Sequence, residues 1–246
     1  MFRKVTPGTT SKLALVDHNE TYGRHILKKI VSDLDIKVCV DLGCGSGDDL
    51  MIVKENNPDC RCIGIDIENW NQEKLISKGI EPFIVNIENE SLPLGVETVD
   101  LVIANQVLEH TKEIFWINHE IFRVLKKGGY LFLGFPNVLS LHNRILALFG
   151  IHPTSSKMIS AHVRAFSKRD TIKFYNVIAS KFSLIEHFFG SQFYPFPKSI
   201  SRSLSNLFPS CAFSIFFQIK KKDTYSGEFL EWLSYAQLET NFFKGD

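Results

Sequence analysis

From Val40 to Asp48 the chain reads Val-Asp-Leu-Gly-Cys-Gly-Ser-Gly-Asp, with glycine at 43, 45 and 47. The β-branched run Lys37-Val38-Cys39-Val40-Asp41-Leu42 precedes this loop, and a helical pattern opens near Gly47. Glycines at such a junction permit positive φ and let a ligand lie against bare backbone. Open α/β sheets place loops of this kind at the carboxyl ends of their strands, where ligands bind. The helix is expected to stop before Pro58, since proline disfavours a helical residue ahead of it.

The same alternation continues along the first half. Cys62–Asp66, Pro82–Asn86, Val99–Asn105 and Tyr130–Phe135 read as further strands. Helices are expected around Trp70, Leu75 and Ile76 up to Gly79, and from Thr111, as N-cap, to Leu125. The second half predicts helices at 139–149 and 168–181, strands at 182–189 and 211–221, and an irregular stretch at 190–210. Residues 225–238 form an amphipathic helix with Phe229, Leu230, Leu233 and Ala236 on one face, packed on its own core or against a second copy in a homodimer. The fold class is therefore α/β: a doubly wound, mostly parallel, seven-stranded sheet with an insert after strand five.

Glycine spacing decides which ligand the loop suits. A dinucleotide loop needs G-x-G-x-x-G, with the pyrophosphate over the helix N-terminus. Here position 48 is aspartate, which repels a pyrophosphate and favours a cationic, amino-bearing ligand; Asp41 points the same way. A nicotinamide oxidoreductase fails on this spacing. Asp66 closes the second strand, where a carboxylate can accept from both hydroxyls of a ribose.

Asp41-Leu-Gly43-Cys-Gly45-Ser-Gly47, Gly64-Ile-Asp66, Leu92-Pro-Leu94, Asp100–Asn105 and Arg123-Val-Leu-Lys-Lys-Gly128-Gly129 together resemble, in order, the motifs of class I S-adenosylmethionine-dependent methyltransferases. Gln106-Val-Leu-Glu109-His110 is similar to the segment after the fourth strand in their small-molecule branch. The resemblance covers about 36–137 and implies a Rossmann-like fold with S-adenosylmethionine as cofactor. It implies that Asp41, Gly43, Cys44 and Gly45 hold the methionine portion, Asp66 the ribose, and Ile67, Asn86 and Ile87 the adenine. Many relatives carry aspartate in place of Asn86. Asn105 is implied to lie under the sulfonium. Cys44 is read as a small loop residue and not as a nucleophile.

A hydroxyl acceptor needs its proton removed, and His110, just beyond the fourth strand, is the candidate base. Net charge is +1, yet residues 137–223 hold 12 Lys and Arg against three acids, and no acid lies between Glu120 and Asp170. His142 with Arg144, and His162 with Arg164, are spaced so that an extended chain puts each pair on one face. They are the expected contacts of an anionic small-molecule acceptor, such as a phosphorylated or nucleotide-linked sugar. Phe135-Pro-Asn137, Asn143-Arg144 and His162–Phe166 also resemble bacterial methyltransferases of surface-glycan synthesis. The whole then reads as one domain over 1–246, with a cofactor core at 36–137, acceptor-covering inserts at 138–182 and 190–210, and a C-terminal helix within 223–246.

Other readings are an RNA methyltransferase tracking phosphates along the basic stretch, and a non-catalytic cofactor-binding subunit supporting an active partner. A long Lys/Arg stripe is missing, which disfavours nucleic acid. The cysteines (39, 44, 60, 62, 211) have no metal-ligand spacing, and no His/Asp/Glu cluster does either, so a metal-independent enzyme is expected. The N-terminal Met-Phe-Arg-Lys-Val-Thr-Pro-Gly lacks the apolar run of a secretory signal, and no run is long enough to span a bilayer. A cytoplasmic protein with reduced thiols is the expectation.

Overall fold

A computed structural model describes residues 18–245; the N-terminal octapeptide read above lies outside them. The chain runs through α1 (His18–Thr21), α2 (Arg24–Ser32), β1 (Val38–Leu42), α3 (Asp48–Asn56), β2 (Arg61–Asp66), α4 (Gln72–Ser77), β3 (Glu81–Ile84) and β4 (Val99–Asn105). It continues through α5 (Ile114–Val124), β5 (Leu125–Pro136), α6 (Leu141–Leu148), α7 (Lys168–Ile178), β6 (Ser183–Ser191), α8 (Lys198–Leu207), β7 (Ser214–Lys221) and α9 (Glu228–Tyr235). One seven-stranded sheet has the order β3-β2-β1-β4-β5-β7-β6. The first five are parallel; β7 is antiparallel to both β5 and β6. The strand order reverses beside β1, which opens a crevice at the carboxyl ends of β1 and β4.

Strand periodicity of two divides the core into two layers. Val40, Leu42, Val102, Ala104, Leu131, Leu133, Phe135 and Phe217 face α5, α7 and α9. Cys39, Cys62, Leu101, Ile103, Phe132 and Phe216 face α2, α3 and α4. Phe122, Phe132, Phe135, Phe182, Phe216, Phe217 and Phe229 are fully buried, each contributing about 2–3 kcal/mol of transfer free energy. Phe229 stacks on Phe122 at 5.7 Å and meets Phe182 and Tyr175 edge-on, so α9 covers its own chain's core.

Several boundaries move. The helix after β4 begins at Ile114 with Glu113, not Thr111, as its N-cap, and Glu88 of the β3–β4 loop accepts from the backbone N–H groups of Lys112 and Glu113 just ahead of it. Thr111 donates its hydroxyl to Leu108 O in the preceding 3-10 turn. Trp70 precedes α4 and is 79% exposed, and Leu75 alone is buried there. The irregular stretch contains α8, ten residues long. Among the described residues no helix is long and apolar enough to cross a membrane.

Candidate functional site

The loop after β1 is built by local hydrogen bonds. Cys44 N donates to Ile65 O at 3.0 Å and Gly47 N to Cys44 O at 2.8 Å, with Gly43 and Gly45 at φ 65° and 50°. The Cys44 sulfur fills the space where a side chain on Gly64 would begin, 2.7 Å from that Cβ position. Burial pushes its thiol far up, with Asp41 and Asp66 adding to the effect, so it is a neutral packing group and not a nucleophile.

The first cavity, about 360 Å³, opens between this loop and the N-terminal segment. Asp41 (4% exposed), Asp49 (7%) and Asn105 line it with Tyr22 and Arg24. Asp49 comes from the first turn of α3, on the same buried face as Leu50 and Val53. Asn105 Nδ2 donates to Asp49 Oδ2 at 2.7 Å and to Tyr22 O at 2.9 Å. Arg24 Nε donates to Asp49 Oδ1 at 2.9 Å. Asp48, expected to attract a cationic ligand, is instead ion-paired to Arg24 and Lys78, both at 3.3 Å. Asp49 is ion-paired to Arg24 as well, at 2.9 Å, and Asp41 is the third acid on this wall. Burial, then the neighbouring Asp49 and Asp66, pushes the Asp41 carboxyl well above the ordinary range, with Arg24 opposing.

A second cavity, about 230 Å³, meets the first at Gly43 and is lined by Asp66, Ile67, Asn86, Ile87, Val107 and His110 among others. Asp66 accepts from Gly45 N at 2.9 Å and from Glu68 N at 3.2 Å, which fixes its carboxylate at the junction. Asn86 Oδ1 accepts from Glu88 N at 3.1 Å, leaving a second lone pair on that oxygen. Gln106 takes a left-handed turn, φ 59°, that ends β4 and swings Val107 to within 2.9 Å of where a Gly43 side chain would start.

These cavities fit S-adenosylmethionine on three observations. One wall is acidic, as a ligand bearing a sulfonium and an ammonium requires. The Asn105 Oδ1 atom is buried with no partner among the described residues. Beside Gly45, an added Cβ would meet nothing within 4 Å, so a ligand can approach the backbone.

The insert folds back onto the segment after β4. Val163 N and Arg164 N both donate to Glu109 O, at 2.8 and 3.2 Å. His110 and His162 thereby meet edge-on with centroids 4.8 Å apart. Residues 162–165 are non-helical and half-burial alternates at His162 and Arg164, which share a face as expected. Arg164, however, donates to Thr111 O at 3.2 Å and Lys112 O at 2.5 Å, and lies over the Phe242 ring; its guanidinium clasps the chain. It also borders a third cavity, about 390 Å³, which lies between α5, α7 and Phe135 and shares no lining residue with the other two.

His142 and Arg144 are not brought onto one face. They lie on α6, where a step of two residues turns about 200°. His142 packs edge-on to Tyr194, and exposed Arg144 donates to Leu139 O. Asn137 and Asn143 are structural: Asn137 donates to Ser210 O and Ala212 O, and Asn143 to Asn137 O. Several of the basic residues are likewise engaged, Arg202 and Lys198 by Glu20 and buried Lys221 by Glu97.

Sequence reasoning missed Tyr22, Arg24, Asp49 and Val107. Asp49 was legible from its phase on α3; the other three were not, because they reach the site through tertiary packing.

Residues 40–133 match the family described as Methyltransferase domain. An uncharacterized 37.1 kDa protein in transposon TN4556 of Streptomyces fradiae is 29% identical over 148 residues, 57% of this chain. The chain spans 43% of that protein's length. An S-adenosylmethionine-dependent methyltransferase from Archaeoglobus fulgidus superposes with a TM-score of 0.54 at 20% identity, over 83% of this chain and 98% of that one. The plantazolicin methyltransferase BpumL, in complex with a monoazolic desmethylPZN analog and S-adenosylhomocysteine, superposes at 0.58 with 14% identity, over 84% and 86%. At these identities the structures establish a shared fold.

Proposed function

We propose that this chain is a class I S-adenosylmethionine-dependent methyltransferase that uses S-adenosylmethionine as its cofactor and methylates a hydroxyl of an anionic small molecule. A phosphorylated or nucleotide-linked sugar, or another phosphoryl-bearing glycan precursor, is the acceptor class. The observation that carries the reading is the junction at Gly43 of an acidic cavity and a cavity fronted by Asp66 and His110.

In this reading Asp41, the backbone of Gly43, Cys44 and Gly45, and Asn105 hold the methionine portion. Asp66 accepts from the ribose, while Ile67, Asn86 and Ile87 flank the adenine. S-adenosylmethionine, held there, would supply a methyl group on a sulfonium, whose sulfur would be the leaving group as a neutral thioether when the acceptor oxygen takes the methyl carbon. The protein contributes alignment and proximity. His110 directs Nδ1 to Ala161 O at 3.2 Å, so its other nitrogen presents a lone pair where the acceptor hydroxyl arrives. An anionic acceptor is supported by the acid-free run and by His142, Arg144 and Lys157, since Arg144 and Lys157 stay exposed on the insert. Arg164 commits two donors to backbone carbonyls, Thr111 O and Lys112 O, and Arg144 one, to Leu139 O, so Arg144 is the freer of the two for an acceptor.

Formation of S-adenosylhomocysteine against paired phosphorylated and neutral sugars tests this reading. Turnover confined to phosphorylated acceptors, with Arg144→Ala raising KM at unchanged cofactor affinity, is the expected result. Equal turnover of neutral sugars, a peptide or RNA would overturn it.

A further inference from the structure

Glu109, His110 and His162 bring one carboxylate oxygen and two imidazole nitrogens within 4.8 Å of one another. Each imidazole has its Nδ1 against a backbone carbonyl, His110 on Ala161 at 3.2 Å and His162 on Ser155 at 2.8 Å. A carbonyl only accepts, so each Nδ1 carries the proton and each Nε2 keeps its lone pair. Metal-binding histidines are held in this way, the outer N–H fixed by a carbonyl and the inner nitrogen bare.

Glu109 completes the set. It is 1% exposed, and its Oε2 has no partner among the described residues. A buried carboxylate oxygen without a partner therefore lies beside two imidazole nitrogens. Two imidazoles, one carboxylate and open remaining positions form a donor set suited to zinc and its first-row neighbours.

We propose that Glu109, His110 and His162 bind one divalent first-row transition-metal ion beside the cavity that His110 lines. Bonds of about 2.0–2.2 Å require the donors to close by roughly an ångström, which side-chain torsions supply. The insert's hydrogen bonds to Glu109 O hold the two halves of the set together. The ion's role rests on the acceptor reading above and replaces one part of it: with its Nε2 on the ion, His110 takes no proton, and the ion polarises the acceptor hydroxyl so that the proton leaves to water. Cation binding itself does not depend on that reading. The set was hidden in the sequence because its halves lie on opposite sides of β5 and α6.

The test is a titration of the full-length protein, stripped with a chelator, with Co²⁺ followed by its visible absorption, and then displacement by Zn²⁺. One ion per chain is expected, with affinity falling roughly tenfold or more in Glu109→Gln and in His162→Ala. Cofactor affinity, measured in the same variants, stays unchanged and reports that they are folded. Absence of cobalt absorption, or equal binding by both variants and the parent protein, overturns the site. A wrong acceptor shows separately, as missing product with cobalt binding intact.

Discussion

The Asn105 amide sits 2.7 Å from the Asp49 carboxylate and thereby ties the end of β4 to the first turn of α3. Its second hydrogen bond, to Tyr22 O, adds the N-terminal segment to the same knot. A hydrogen bond to a charged group contributes about 1.5–3 kcal/mol. Asn105→Ala should therefore weaken cofactor binding roughly ten- to hundredfold, as read by calorimetry. An unchanged dissociation constant would detach this knot from the cofactor site.

With Asp41 in the proposed cofactor site, cofactor affinity should depend on pH. Its carboxyl is held above the ordinary range, so the pocket gains a proton as pH falls through that value. A ligand cation favours the charged form, so binding releases that proton, and affinity should rise with pH and then level off. The free protein shows the opposite sign. Between the ordinary carboxylate value and the raised one, the folded state holds more protons than the unfolded, so stability falls as pH rises. Asp41→Asn should flatten the affinity profile, and a flat profile in the unsubstituted protein would remove Asp41 from the site.

Two glycines of the loop should fail differently. In Gly43→Ala the new Cβ lies 2.9 Å from Val107 Cγ2, so the loop must move and both stability and cofactor affinity drop. In Gly45→Ala the Cβ meets no protein atom within 4 Å, and the left-handed backbone, φ 50°, costs about 1–2 kcal/mol. That variant should keep most of its stability while losing cofactor affinity. Thermal unfolding alongside calorimetry separates the two; retained affinity in Gly45→Ala would mean no ligand lies against that backbone.

Lys221 is buried, with Nζ donating to Phe122 O, Leu125 O and Glu97. Lys221→Met keeps the packing but strands two buried carbonyls, at about 2–3 kcal/mol. Melting temperature should fall by roughly 5–10 °C with cofactor affinity intact. A change under about 2 °C would show that water replaces the ammonium.

How much of this was legible in the sequence depended on range. β1 to β5, the glycine loop and Asp66 announce themselves through local periodicity and spacing, and the structure places them within a few residues of expectation. The aspartate singled out for its charge at the loop, Asp48, is ion-paired to Arg24 and Lys78, partners that no spacing rule predicts. Arg164 failed for a related reason. Two carbonyls from the far side of β5 engage it, and a count of cations along the chain treats an engaged guanidinium and a solvated one alike. His142 and Arg144 failed locally, since the helix expected there already contradicted the extended geometry assumed for the pair.

The two backbone hydrogen bonds that Glu109 receives from the insert bear on how such a protein could be re-engineered or diverge. A loop exchange that treats 138–166 as a detachable cassette would deliver half of a clasp, with no guarantee that the recipient's turn after β4 offers the matching half. Changes of preference should then arrive as paired substitutions in two distant stretches of the gene. A chimera exchanging both stretches at once should fold more often than either single exchange.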